Sequence, residues 1–486
     1  MSSIDLHASL PEIILTGALM LILFIDLFLP SERKSWNGPI AMAGVAGSMV
    51  ALFTLVGERR VTFAGMFVLD AYALLFKFLF LAIALVVILI STNYLEDTIR
   101  DSQGEFYFLL LTSFLGMMLM ASARDLLMLF VSLELVSAPG FLVAGFRKRD
   151  ARSNEAAIKF FLFGVLSTAV MLFGMSLIYG VTRSTNLSQI ATALQHSSHD
   201  PLVFASILLI LAGFAFKVSA VPFHFWAPDT YEGSPIPVAA FLSVASKAAG
   251  FAGMLSLMFV GFVHQTQVWA PGFAILAVLT MTIGNVVALQ QTNIVRLLAY
   301  SSIAQAGYIL LPFAVVKGGS PAVLRDAFAA CLTYILIYSF MNIGAFAVVI
   351  GVSRKRPTNL ISDYEGLMQS EPGLALAMAF FLISLAGIPP LAGFWAKFFV
   401  FSAAIHGNAA WLGAIMVVNS VIGAYYYLTV ASKMILRPAR DTSPIGVPYP
   451  IVVAIALSLI VVVGVGIYPN FFQHFSPRST LIAFLR

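Results

Sequence analysis

The sequence predicts an all-α polytopic membrane protein of about fourteen transmembrane helices, and three observations carry that reading. Of 486 residues, 60% are hydrophobic and only 10% are charged, against about 25% charged in an ordinary soluble domain. The apolar residues fall in runs of about twenty, the length that crosses a hydrocarbon core of about 30 Å. The loops between runs are mostly short, and none is long enough to be a soluble domain. A water-soluble globule of this length would lack the charge to cover its surface.

In chain order the runs lie near 10–29, 39–56, 71–92, 106–121, 126–145, 157–179 and 202–221, then 238–263, 269–290, 294–316, 327–353, 373–402, 409–434 and 447–471. The first (Leu10–Leu29) lacks a basic leader and an A-x-A-like cleavage site, so it is expected to be a retained span. The early runs are separated by basic residues: Arg33 and Lys34, Arg59 and Arg60, Arg100, Arg124, then Arg147 to Arg149. The longest loop, about 180–201, precedes the seventh run. That run meets Pro222, and the WAPDTYEGSPIP stretch after it holds Pro228, Asp229, Gly233, Pro235 and Pro237. The twelfth run is interrupted by Gly387, Pro389, Pro390 and Gly393. Both are therefore expected to be discontinuous helices.

Loops after odd-numbered runs carry thirteen Lys and Arg, and the opposite side carries eight. The positive-inside rule then places 146–157 and 354–371 in the cytoplasm and both termini outside. The net charge of +5 reflects this bias. No basic stripe is interleaved with exposed aromatics, so no nucleic-acid partner is expected.

Cys331 is the only cysteine, which excludes an intrachain disulfide, a thiolate zinc site and an iron–sulfur cluster. Histidines 7, 196, 199, 224, 264, 406 and 474 form no H-E-x-x-H, and His196 and His199 have no third ligand nearby. No phosphate-binding glycine motif occurs.

Charge inside the runs is the remaining signal. Six lysines (Lys77, Lys159, Lys217, Lys247, Lys397, Lys433) and Glu134 lie there, and each Lys at a helix centre costs about 2.5–3.5 kcal/mol on insertion scales. Lys159 and Lys433 lie near helix ends and can snorkel, and Lys159 follows Glu155 by four residues, a helix-surface pair. Lys77, seven residues after Asp70, is expected to lie on the same helix face. Glu134, Lys217, Lys247 and Lys397 sit deeper, beside breakers or small residues. Each is either a structural ion pair or part of a proton relay, in which a carboxylate tunes how firmly a buried amine holds its proton. His224 either caps carbonyls freed by Pro222 or passes protons between Lys217 and Lys247. Ser301, Ser302 and Gln305, after Arg296 and Tyr300, are interhelical hydrogen-bonding groups or the lining of a hydrated path.

Short strings repeat in order: GFAFK (213–217) precedes VASK (244–247), and GFWAK (393–397) precedes VASK (430–433). Five helices separate the matching elements, an odd number, so the two copies would face opposite ways, with a site at the breaks.

FKVSAVPFHFWAPDTYEGSPIPVAAFLSVASKAAG (216–250) resembles the signature of the antiporter-like subunits of respiratory complex I, the proton-pumping NADH–quinone oxidoreductase. PDTYEGSPIPV resembles its subunit N branch, and VRLLAYSSIAQAGY (295–308) and SLAGIPPLAGFWAKF (384–398) resemble the family's second-half motifs. The resemblance implies two inverted five-helix repeats over 106–263 and 269–434, flanked by a three-helix segment (1–105) and a last helix (435–486). It implies that Glu134 modulates Lys217, that Lys247 is the central-axis lysine and that Lys397 is the exit-side residue. His224, Lys159 and Tyr300 correspond to accessory positions. Lys397, where some sister subunits carry Glu, fits branch N or L rather than M, and the long lateral C-terminal helix of branch L is expected to be absent.

Implied further are a bacterial inner-membrane location and membrane-arm partners: the neighbouring antiporter-like subunit M and the small subunits J and K. The lipid bilayer surrounds them, and peripheral redox subunits connect indirectly. No cofactor is expected in this chain; NADH, FMN, iron–sulfur clusters and quinone belong to the assembled complex. The alternative function is a subunit of a related multi-subunit cation/proton antiporter. A purely structural scaffold would leave the buried Lys and Glu unexplained.

Overall fold

The computed structural model describes residues 5–195, 200–318, 320–439, 443 and 445–469. His196, His199, His474, Arg440, Arg478 and Arg486 lie outside them. In a hydrocarbon phase every backbone polar group must be satisfied internally, and apolar runs meet that demand as helices.

Helices α1 (Leu10–Phe28) and α2 (Asn37–Thr54) lead to a short hairpin, β1 (Arg60–Thr62) and β2 (Phe67–Leu69), the one sheet among the described residues. There follow α3 (Ala71–Thr98), α4 (Gln103–Ser122), α5 (Leu126–Ala144), α6 (Ala151–Thr182) and a small α7 (Leu187–Ala193) within the longest loop. Asp70, Asp125, Asp150 and Asn186 accept hydrogen bonds from the first free backbone N–H groups of α3, α5, α6 and α7, which fixes where these helices begin.

The seventh run is broken. Helix α8 (Pro201–Lys217) stops at Lys217, and the chain is non-helical until α9 (Trp226–Gly233). Next comes one continuous rod in which α10 (Ile236–Phe241) and α11 (Lys247–Ser256) are joined by a π turn at Leu242–Ser246. The rod is wholly buried. Helices α12 (Thr266–Ala288), α13 (Ile294–Ala314) and α14 (Pro321–Ser353) follow, then a single turn, α15 (Leu367–Ser370). The twelfth run is broken as well, into α16 (Pro372–Ala386) and α17 (Ala392–His406), before α18 (Ala410–Leu436) and α19 (Tyr449–Ile467).

Among the described residues, twelve helices are long and apolar enough to span a membrane, and α8 and α16 are shorter apolar helices of 17 and 15 residues. Helix α14 is the spine of the bundle, packing on α10, α13, α16, α17 and α19. Residues such as Phe24, Leu166 and Val421 point outward from the bundle, as a lipid-facing surface requires.

Sharing a helix face does not make a pair. Lys77 does not pair with Asp70. Its Nζ lies 2.7 Å from Glu12 Oε1 of α1, and Asp70 instead binds Arg124 at 2.9 Å. Seven residues along a helix do place Asp70 and Lys77 on one face. The buried Arg124, counted as a loop residue in the sequence, takes the Asp70 carboxylate first.

Candidate functional site

Helix breaks deliver two of the deep lysines. Lys217 is the last residue of α8, and its Nζ donates to Ser137 Oγ of α5 at 2.9 Å. Glu134, one turn earlier on α5, acts electrostatically on Lys217 but forms no ion pair with it within 4 Å among the described residues. One Glu134 oxygen is buried without a hydrogen-bond partner. Lys397 lies in the second turn of α17, and its Nζ donates to Ala386 O and Ser420 Oγ, both at 2.8 Å. Lys247 opens α11 directly after the π turn, a distortion common at functional sites. Its Nζ donates to Ser302 Oγ at 2.8 Å and Ser302 O at 3.1 Å. Lys217, Lys247 and Lys397 are only 3%, 2% and 8% exposed.

Two glycines make room for the lysine stems. A Cβ at Gly250, three residues after Lys247, would meet Lys217 Cγ at 2.9 Å. The Lys217 stem therefore lies against the helix that carries Lys247. Gly387 ends α16 at φ +87°, and a Cβ there would meet Lys397 Cδ at 2.7 Å. Its positive φ favours glycine, and its missing side chain leaves space for the amine.

Hydroxyls and amides lie between the Lys247 and Lys397 amines. Beside Ser302, the Ser301 hydroxyl bonds the phenol of Tyr427. Gln305 Nε2 donates to that phenol and to Leu385 O, both at 3.2 Å, and Gln305 Oε1 accepts from Tyr334. Leu385 O and Ala386 O, the Lys397 acceptor, belong to adjacent residues at the end of α16. A second group lies alongside: Asn285 Nδ2 donates to Tyr308 OH at 2.9 Å and Asn285 Oδ1 accepts from Tyr426 at 3.0 Å. The Lys397 amine stands 5.1 Å from the centre of the Tyr308 ring. A polar line thus crosses the apolar core from Lys217 past Lys247 to Lys397.

The other buried cations differ. Lys77 and Arg124 each face a buried carboxylate, Glu12 and Asp70, whereas no carboxylate lies within 4 Å of Lys217, Lys247 or Lys397 among the described residues. A buried ion without a counter-ion is costly, so three of them on one line call for another explanation than packing.

Of the accessory residues, His224 lies in the first break, 6% exposed, with Nδ1 unpartnered. Tyr300 is half-buried at the edge of the core and takes no part in the line's hydrogen bonds. Lys159 is away from the line and 38% exposed, in ion pairs with Glu155 and Asp229 at 2.7 Å each. The roles of Tyr334, Tyr427, Tyr308, Asn285, Gly250 and Gly387 escaped the sequence reading. Asn285 and the adjacent Tyr426 and Tyr427, polar groups inside apolar runs, were the available signal. No cluster of three or more metal-ligating side chains occurs among the described residues.

Two discontinuous helices that deliver buried amines to a polar line define a polytopic membrane protein of the antiporter-like type. Residues 123–423 match the family described as NADH:quinone oxidoreductase/Mrp antiporter, TM. The chain is 41% identical over 481 residues to NADH-quinone oxidoreductase subunit N of Trichlorobacter lovleyi, covering 98% of this chain and 97% of that one. It superposes on a chain of respiratory complex I from Thermus thermophilus with bound aureothin at a TM-score of 0.81 and 31% identity, covering 96% of this chain and 99% of that one. A chain of the Mrp complex from Dietzia sp. gives a TM-score of 0.85 at 19% identity, over 99% of this chain and 100% of that one, which is a likeness of fold alone. The chain belongs to the NADH-quinone oxidoreductase subunit N family, multi-pass membrane subunits of that oxidoreductase.

Proposed function

We propose that this chain translocates protons in the membrane arm of NADH:quinone oxidoreductase, with Glu134, Lys217, Lys247 and Lys397 as the relay. A single observation carries the proposal: three buried lysines on one polar line have hydroxyls and carbonyls for partners instead of carboxylates. An amine held this way can give up its proton without stranding an anion, while serines, tyrosines and a glutamine supply groups through which a proton can pass. Glu134 is close enough to bias Lys217 without locking it in an ion pair. Lys159, His224 and Tyr300 are accessory at most.

Residues 106–263 and 269–434 are proposed as inverted repeats that each contribute half a path, with 1–105 and 435–486 flanking them. NADH, FMN, iron–sulfur clusters and quinone are assigned to partner subunits, and subunits M, J and K to the neighbouring membrane arm in the bacterial inner membrane. Co-isolation with flavin- and iron–sulfur-bearing subunits tests this assignment. Recovery in a complex that contains neither would favour the cation/proton antiporter instead.

Glu134→Gln removes the anion and keeps the shape. Proton pumping linked to quinone reduction should fall several-fold in membrane vesicles while the complex still assembles. Pumping at the parental rate, with unchanged pH dependence, would take Glu134 out of the relay.

Orientation is tested by surface labelling. In a Cys331→Ala background, Lys148→Cys and Ser188→Cys, both at exposed positions, should react with a membrane-impermeant thiol reagent from opposite sides, Lys148→Cys from the cytoplasm. Reaction of both from one side would defeat the proposed topology.

A further inference from the structure

Helix α9, which follows the first break, is eight residues long, too short to hold its place by its own hydrogen bonds. Its inner side packs on α6, where Trp226 stacks on Phe160 with ring centres 4.2 Å apart. Its polar side carries an ionic network. Arg296, in the first turn of α13, reaches Asp229 Oδ1 at 2.9 Å and Glu232 Oε2 at 2.7 Å. Lys159 of α6 binds Asp229 Oδ2 at 2.7 Å and Glu155 at 2.7 Å, and Arg147 donates to Gly233 O at 3.0 Å. Asp229, Glu232, Arg296, Lys159, Glu155 and Arg152 line a cavity of about 200 Å³. Arg296 stands six residues before Ser302, the partner of Lys247, and α9 begins eight residues after the non-helical stretch starts at Val218, next to Lys217.

We infer that Asp229 and Glu232, through Arg296, latch α9 to α13 and so hold the first break in register with the Lys247 site. They are positioning residues that tie the first half to the second at α13 and so fix how Lys217 and Lys247 face each other. The inference rests on the proposed relay. Burial works to raise the Asp229 pKa, but hydrogen bonds from Lys159 and Arg296 outweigh it and hold the carboxyl below the usual carboxylate range. Asp229 therefore stays ionised throughout the neutral range, so it positions and does not carry protons.

The test compares assembled complexes in proteoliposomes, with pumping and quinone reduction expressed per complex. Asp229→Asn and Glu232→Gln should each lower turnover on the order of tenfold, as a small displacement of reacting groups does. The pH profile should keep its parental shape, and Asp229→Glu should recover most of the rate. The double variant Asp229→Asn/Glu232→Gln should be no slower than Arg296→Gln, because loss of Arg296 already breaks both of its links to α9. Parental turnover in both single variants, or a displaced pH profile in Asp229→Asn, overturns the latch. If Asp229→Asn does not accumulate, Glu232→Gln decides by the same criteria. Lys217→Met run alongside separates the two claims. Its loss of pumping beside a parental Glu232→Gln and Asp229→Asn would overturn the latch alone, and parental pumping in Lys217→Met would overturn the relay on which the latch depends.

Discussion

Lys247→Met should assemble into the full complex and lose most of its proton pumping, and quinone reduction should fall with it because the two are coupled in the proposed function. Among the described residues the Lys247 amine donates hydrogen bonds only to Ser302, to its hydroxyl and carbonyl oxygens. Its removal strands no carboxylate, and methionine keeps the length and apolar bulk of the side chain. Had Lys247 balanced a buried anion, removal would have cost about 3–5 kcal/mol and assembly would have suffered. Lys247→Arg should rescue little, since a guanidinium with a pKa above about 12 does not release its proton. The measurement is NADH-driven acidification of inverted vesicles, normalised to assembled complex. An assembled Lys247→Arg complex pumping at the parental rate would remove Lys247 from the relay.

The second large effect falls on stability. Lys77 and Glu12 form an ion pair whose side chains are 0% and 6% exposed, in a helix interface that offers little else to solvate either charge. Lys77→Met or Glu12→Met alone strands the other ion and should destabilise the N-terminal helices by about 3–5 kcal/mol. The thermal transition of the purified complex should drop and less of this chain should be recovered in it. The double variant Glu12→Met/Lys77→Met should regain most of the loss, since apolar groups of similar size replace a buried pair at little cost. Turnover per assembled complex should stay parental in the double variant, because this pair lies off the polar line. Single variants as stable as the parent would show that water reaches these charges.

The opposite expectations for Lys77 and Lys247 show where sequence reading stopped. Both are lysines inside apolar runs, and hydropathy treats them alike. Depth and neighbouring breakers separated Lys217, Lys247 and Lys397 from Lys159 and Lys433, and Lys159 does form the expected pair with Glu155. Partner identity was beyond reach, because it depends on residues far apart in the chain: Glu12 lies 65 positions before Lys77, and Ser302 lies 55 after Lys247. The i to i+7 rule that placed Lys77 on the Asp70 face describes one helix and says nothing of an arginine arriving from another segment.

The membrane class, the order of the helices and the two breaks were determined by the sequence alone. Each follows from local physics: an apolar run must satisfy its own backbone as a helix, and clustered Pro and Gly cannot continue one. The repeated strings and family motifs were likewise legible as text. Only the tertiary structure decided that Tyr427, Gln305 and the end of α16 join Ser301 and Ser302 to Lys397, that Gly250 and Gly387 make room for lysine stems, and that α9 is tied to α13 through Arg296. Hydrogen bonds and ion pairs act over about 3 Å, and which groups come that close is set by how helices distant in sequence pack together.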